Sequence, residues 1–182
     1  MKKIFTTITV SLLLISCKIT GLTNDYSKLT EDDKAKIVTL ESFENLDETK
    51  IYKISGKQLR TELAKHEKSI VYIFKNGCTS DLCKPMQVYE NYAKQNGYQL
   101  FLVMDGYGNL DDTVGQRNNF TSSLFSINTD LYDSRYRATY SRRFENELLK
   151  KDINYKSNEY LGSLLFFEGN RLDKIVRDLP KY

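Results

Sequence analysis

Two apolar runs joined by a cysteine-containing loop and a helical stretch constrain the fold of this chain most strongly. Residues 69–74 (SIVYIF) are β-branched and aromatic without polar alternation, which is typical of a buried strand. Residues 98–104 (YQLFLVM) have the same character. Apolar residues at helical spacing lie between them and run up to a Gly97 stop, namely Leu82, Met86, Tyr89 and Ala93. Such a βαβ unit predicts two parallel, adjacent strands.

Elements on both sides extend this unit into an α/β domain. Alternation over 51–54 predicts a short strand, and Ser55 is a suitable N-cap for a helix reaching 66. The stretch 105–128 is rich in turn residues and predicts no element. A helix is predicted over 133–150, and a closing β-hairpin over 161–176 around Gly169. With 40% hydrophobic residues in 182, the chain can bury one core.

The N-terminus has the features of a secretory signal. A basic start (MKK) precedes a mostly apolar run over 4–15, which is too short to span a bilayer as a mature helix. The run ends in LISC at 14–17, which resembles the lipobox of bacterial lipoproteins. The resemblance implies a signal over 1–16 and acyl chains such as palmitate on Cys17. The protein would then be anchored to an envelope membrane and face the periplasm or the exterior. The alternative is an ordinary signal peptide that leaves Cys17 as a free thiol.

The segment that follows Cys17 is polar and charged, which predicts a membrane tether over 17–49 and a domain over 50–182. Within the tether, Thr30–Asp33 resembles a helix capping box, so a short element is possible there. Removing 1–16 removes two lysines and no acid, so the net charge falls from +3 to about +1. Such a chain gives no argument for nucleic acid as a partner.

The order of elements is similar to that of the thioredoxin-like fold. The cysteines lie where that family has its active site, at the end of a buried strand that leads into a helix, and GSLLFFEGNRLDKIV resembles the closing hairpin. The similarity covers 51 to about 180 and is strongest to membrane-anchored thioredoxin-like lipoproteins. It implies a central mixed sheet flanked by helices, and thiol–disulfide exchange with envelope proteins through Cys78 and Cys83. Unlike that family, the chain has four residues between the cysteines and no proline near Leu161 or Gly162, so a trans bond is expected there.

The spacing of the cysteines limits how they can pair. Bridged cysteines need Cα atoms about 4.4–6.8 Å apart. Five steps of an α-helix rise about 7.5 Å and turn to another face, and five extended steps span about 17 Å. The chain must therefore curl, and Gly77 permits an unusual φ just before Cys78. We expect 79–81 to cap the helix, Pro85 to lie in its first turn, and Cys83 to lie in or near that turn.

Exposure and charge suggest a role for each cysteine. We expect Cys78 to be the attacking thiol and Cys83 to resolve the mixed disulfide. A helix N-terminus would stabilise a thiolate, with Lys75 and Lys84 adding to the effect and Asp81 opposing it. The rival hypothesis is a non-catalytic interaction domain whose disulfide is structural. A bridge closing so small a loop stabilises by only about 2 kcal/mol in the chain-entropy model.

A second alternative is peroxide chemistry. GCTSDLC resembles the peroxiredoxin Q group in spacing, which would make Cys78 peroxidatic and Cys83 resolving. That group has Thr three residues and Pro two residues before the cysteine, where this chain has Lys75 and Asn76. The required cation would come from an arginine in the helix region, and the candidates are Arg135, Arg137, Arg142 and Arg143.

The remaining patterns favour ordinary structural roles. His66 is the only histidine, which excludes a multi-histidine metal site, and we expect no metal and no cofactor. The aspartates at 105, 111 and 112 are interpreted as a solvated loop. Tyrosines recur every four residues at 132, 136 and 140, which predicts a helix face packed on the sheet, or else a docking surface for a partner.

Overall fold

The computed structural model describes residues 21–180, in which seven strands form one mixed sheet. The strands are β1 (Ile37–Thr39), β2 (Ile51–Ile54), β3 (Lys68–Phe74), β4 (Gln99–Met104), β5 (Leu124–Ile127), β6 (Leu164–Glu168) and β7 (Arg171–Val176). The α-helices are α1 (Glu31–Lys36), α2 (Gly56–Leu63), α3 (Met86–Asn96), α4 (Leu110–Val114) and α5 (Arg137–Leu148). Short 3₁₀ turns occupy Tyr26–Lys28, Arg117–Asn119 and Thr129–Leu131.

The sheet order is β1-β2-β5-β4-β3-β6-β7. The first five strands are mutually parallel, and β6 and β7 add an antiparallel hairpin beside β3. The predicted parallel pairing of β3 with β4 is confirmed, with Ser69 opposite Gln99. The predicted hairpin is also confirmed. The fold class is therefore a mixed α/β sheet flanked by helices, compatible with a thioredoxin-like arrangement.

Each face of the sheet carries its own apolar core. On one face α3 and α4 cover Tyr72 and Phe74 of β3. On the other face α2 and α5 cover Val71 and Ile73. Because successive residues of a strand point to opposite faces, a strand that is covered on both sides reads as an unbroken apolar run. This explains why β3 and β4 could be predicted from sequence.

Local capping sets several element boundaries. Ser55 forms the predicted cap of α2, as a complete capping box with Gln58. Gly97, at φ 69°, ends α3 as predicted. The start of α3 differs from the prediction, because Leu82 lies in a turn and is 45% exposed. Pro85 disfavours helical backbone at the residue before it, so the helix begins only at Met86.

Two predictions for the second half of the chain need correction. The turn-rich stretch contains the short helix α4 and the strand β5, and β5 lies between β2 and β4 in the sheet. The tyrosine series does not form one buried face. Tyr132 and Tyr140 are buried, whereas Tyr136, the N-cap of α5, is 45% exposed. The reason is that α5 begins at Arg137, so Tyr132 precedes the helix and does not share its periodicity.

The described part of the predicted tether, from residue 21, packs on the domain. Thr30 accepts the Asp33 N–H and caps α1. The strand β1 then pairs with β2 at the sheet edge, which buries Ile37. The signal segment and Cys17 lie outside the described residues.

Candidate functional site at the cysteine loop

Cys78 and Cys83 form a disulfide in the loop between β3 and α3, with their Cα atoms 6.0 Å apart. Two local features make the chain curl. Gly77 has a φ of +64°, and a Cβ there would overlap the Asp112 carboxylate. The Cys83 N–H donates to the Ser80 carbonyl at 2.8 Å, which closes a β-turn. The predicted curl and the predicted role of Gly77 are therefore confirmed.

A buried tyrosine of α3 holds the second half of this loop. The hydroxyl of Tyr89 accepts the Lys84 N–H at 3.1 Å and lies 3.3 Å from the Leu82 carbonyl oxygen. It also lies 3.2 Å from the hydroxyl of Tyr72. Burial, followed by this contact with Tyr89, raises the pKa of Tyr72 above its ordinary value, so the Tyr72 hydroxyl stays neutral. Both residues flanking Cys83 are thus tied to the core by one hydroxyl group.

The relation between Cys83 and the helix N-terminus differs from the prediction. Cys83 lies three residues before Met86, the first helical residue. Pro85 is the N-cap, without a side-chain cap, and the Met86 N–H donates to Gln116 Oε1 at 3.0 Å. The expected cap from 79–81 is therefore wrong, because a side chain from beyond α4 takes that amide. Less of the helix terminus is left to stabilise a thiolate.

An open cavity of about 550 Å³ lies beside the disulfide. Cys78 is exposed and Cys83 is half-buried, and both line the cavity together with Lys75 and Lys84. The ammonium group of Lys84 is hydrogen-bonded, since its Nζ donates to the Asp81 carbonyl at 2.7 Å. Lys75 is exposed and lines the same cavity as the two cysteines.

The arginines proposed for a peroxide site lie elsewhere. None of the described residues that line the disulfide cavity is an arginine. Arg137 pairs with Asp105 at 3.6 Å, Arg143 bonds the Tyr132 carbonyl, and Arg135 stacks on a neighbouring ring. None of the four predicted arginines, Arg142 included, lines the cavity, and the cations that do line it are Lys75 and Lys84.

The segment before the closing hairpin is extended and contains no proline. No cis peptide bond occurs in the described chain, as expected for the bonds near Leu161 and Gly162. A Cβ at Gly162 would overlap the Val176 carbonyl, so the segment before β6 passes close to the end of β7. The Ser163 carbonyl accepts the Ile73 N–H at 2.9 Å, which joins this segment to β3.

Other predicted candidates have ordinary partners. His66 lies 3.2 Å from Glu62 Oε1 at the end of α2. Burial raises the pKa of Asp105, while Arg137 and Lys75 oppose that rise. Across residues 21–180, no three His, Cys, Asp or Glu side chains are grouped as metal ligands.

Sequence reasoning did not find the residues that shape the cavity around the disulfide. Tyr72, Tyr89, Asp112 and Gln116 all contribute to it or to the loop that borders it. The only signal for Tyr89 was its position on an apolar helix face, which indicates burial but not the partner of its hydroxyl.

The chain matches no protein-family model, no curated protein and no solved structure. Over the described residues, no helix has both the length and the apolar character needed to cross a bilayer.

Proposed function

We propose that this protein is an envelope lipoprotein, anchored through lipid on Cys17, that exchanges disulfides with other envelope proteins through Cys78 and Cys83. One observation carries the redox part of the proposal: the sulfur pair lies at the mouth of an open cavity, with Cys78 exposed and Cys83 half-buried. An extended segment of a partner can approach Cys78 from the cavity side. A thiol–disulfide exchange needs this access and a second thiol within reach.

The proposed exchange has two steps. In the reduced protein, the Cys78 thiolate attacks a partner disulfide, a mixed disulfide forms, and one partner thiolate leaves. The Cys83 thiolate then attacks Cys78 Sγ and releases the second partner thiolate. Two electrons pass to the partner, and the protein ends with the Cys78–Cys83 disulfide. A dithiol reductant of the envelope would restore the reduced form.

The contacts around the loop argue against a purely structural disulfide. Bonds from Tyr89, together with the Gln116 bond to the Met86 amide, hold the second half of the loop in addition to the disulfide. The bridge itself spans a sequence separation of 5, for which the chain-entropy model gives only about 2 kcal/mol. A loop held in this way keeps its shape when the bridge opens, which suits repeated opening and closing.

The reduction potential tests the proposal. A Cys17→Ser chain leaves Cys78 and Cys83 as its only thiols. It is equilibrated in graded glutathione and dithiothreitol buffers, alkylated and weighed. We expect a potential above about −250 mV, as for exchange-competent pairs. A potential below about −300 mV would identify a structural disulfide and end the redox proposal.

Single cysteine variants separate the two roles. Cys83→Ser should accumulate a mixed disulfide with a partner, because nothing resolves it, whereas Cys78→Ser should trap none. The two variants lose the same bridge, so each is the matched control for the other. Equal trapping by both, or by neither, would contradict the assigned roles.

A further inference from the structure

The chain enters the described domain where the parallel strands have their carboxyl ends, and the cysteine loop follows the carboxyl end of β3. Residues 21–25 lie across the carboxyl ends of β4 and β5. The Asn24 carbonyl accepts the Tyr107 N–H at 2.7 Å, and its side-chain amide donates to Thr129 Oγ1 at 3.0 Å. The Leu22 carbonyl accepts the Arg137 N–H at 3.0 Å. These bonds join the segment to three different parts of the domain.

A buried carboxylate stabilises this segment. Asp25 is 3% exposed, and its side chain accepts the Gly21 N–H at 2.6 Å and pairs with Lys28 at 2.6 Å. Burial opposes ionisation, but Lys28 and the Gly21 amide outweigh it and hold the pKa of Asp25 below its usual value. The entry segment is therefore a built part of the domain rather than a loose tether.

Exposed apolar side chains surround the point where the chain enters. Leu22 is 59% exposed, Leu131 58%, Tyr136 45% and Tyr26 38%. We call these four residues the anchor-side patch. The contacts of Leu22 with Arg137 and of Asn24 with Thr129, and the bridge between Thr23 and Tyr136, bring this segment, Tyr136 and the turn before Leu131 to one end of the domain. The Tyr26 N–H donates to Asn24 Oδ1 at 3.1 Å, which holds Tyr26 beside them.

The charges near the patch nearly balance. Arg135 stacks on the ring of Tyr136 at 5.1 Å, and Asp133 is exposed close by. Asp130 pairs with Lys53 at 3.1 Å. The patch therefore offers leucine and tyrosine side chains to a surface without an excess of cations. Tyrosines beside leucines are typical of side chains at a membrane–water interface.

The short chain segment between Cys17 and the patch indicates that the patch faces the membrane. Gly21 is four residues after Cys17, and four extended residues reach at most about 14 Å. Leu22 belongs to the patch and is five residues after Cys17, so a lipid on Cys17 would hold this part of the patch within about 18 Å of the lipidated residue.

We propose that the anchor-side patch rests on the surface of the bilayer that holds the Cys17 lipid, and that this contact keeps the cysteine loop close to the membrane. The inference rests on the lipid anchor of the proposed function, and not on its redox activity. Gly21 and Asn76 line one small cavity, and Cys78 follows Asn76 by two residues, a span of at most about 7 Å. The partner class is therefore an envelope protein whose cysteines lie next to the membrane.

A fluorescence depth measurement tests this contact, because the chain contains no tryptophan. Tyr136→Trp places one reporter in the patch. Tyr155→Trp is the matched control, since Tyr155 is 47% exposed against 45% for Tyr136 but lies beyond the far end of α5. Each lipidated full-length mature chain is reconstituted in phosphatidylcholine vesicles with brominated acyl chains. We expect the reporter at 136 to be quenched at least about twofold more than the reporter at 155, since interfacial side chains reach the acyl boundary.

A double substitution and a change of lipid composition test the membrane contact further. Leu22→Ser combined with Leu131→Ser should reduce quenching at 136 while leaving the Cys78–Cys83 potential unchanged, so failure of this proposal is distinguishable from failure of the redox function. Adding anionic lipid should not change the quenching, because the nearby charges nearly balance. Equal quenching of the two reporters, or a mass without lipid on Cys17, would overturn the proposal.

Discussion

Replacing Tyr89 by Phe removes a single hydroxyl group that connects the cysteine loop to the core. Tyr89 is 1% exposed and Tyr72 is 4% exposed. In Tyr89→Phe, the Tyr72 hydroxyl and the Lys84 N–H both lose this partner. A buried polar group left unpaired costs about 1–3 kcal/mol, and the half-buried Lys84 amide, which water can partly reach, adds less. We therefore expect a loss of about 2–3 kcal/mol in the free energy of unfolding.

The matched control is Tyr72→Phe. This variant loses the contact between the two hydroxyls but keeps the Tyr89 bonds to Lys84 and Leu82. Its expected loss is about 0.5–1.5 kcal/mol, the usual net worth of one hydrogen bond. The difference between the two variants isolates the part of the stabilisation that acts on the cysteine loop.

Two measurements check this difference. Urea unfolding followed by circular dichroism, with the disulfide intact, gives the free energies. Hydrogen exchange at the Lys84 amide should be about tenfold faster in Tyr89→Phe than in the control, since each 1.4 kcal/mol corresponds to a factor of ten. If the two variants unfold alike and exchange at Lys84 is unchanged, the Tyr89 hydroxyl does not hold the loop and the reasoning is wrong.

Three further substitutions test the packing and the buried charges. Gly56→Ala should destabilise by about 1–3 kcal/mol in urea unfolding, because its Cβ would lie 2.5 Å from the Phe144 carbonyl oxygen of α5; parent-like stability would show that the helices can separate freely. Glu90→Gln should destabilise by about 1–3 kcal/mol at neutral pH, because the carboxylate accepts bonds from both residues of 121–122. Burial opposes ionisation of Glu90, but these bonds hold its pKa below 4.5, so the parent's advantage should shrink as the pH falls below that value. Burial raises the pKa of Glu145 from 4.5 to about 7, so the folded state binds the extra proton and this group lowers stability as the pH rises through that window. Glu145→Gln should remove this loss of stability and raise the free energy of unfolding by at most about 3 kcal/mol at pH values above 7. Urea midpoints measured below pH 4.5 and above pH 7 give this difference. A pH profile like that of the parent protein would contradict a raised pKa for Glu145.

The cysteine loop and the strands around it could largely be predicted from local sequence. The apolar runs of β3 and β4 are unbroken because both faces of the sheet are covered, and that composition is visible without the structure. The curl at Gly77 follows from bond geometry alone, since no regular helix or strand brings cysteines at this spacing within bridging distance. The start of α3 could not be predicted in this way, because it depends on Pro85 and on the hydrogen bond that the Met86 N–H donates to Gln116 from a distant turn.

Tertiary structure decided the features that depend on distant partners. The four apolar residues Leu124–Ile127 could belong to any short element, and only their pairing with β2 and β4 makes them an interior strand. The hydroxyl of Tyr89 has the same sequence signal whether or not it bonds the loop. Residues 21–25 have the polar composition of a tether, yet backbone bonds to Tyr107 and Arg137 hold them on the domain. Every residue except proline carries the same backbone N–H and C=O groups, so the sequence indicates that such bonds must be made, whereas only the folded chain determines where.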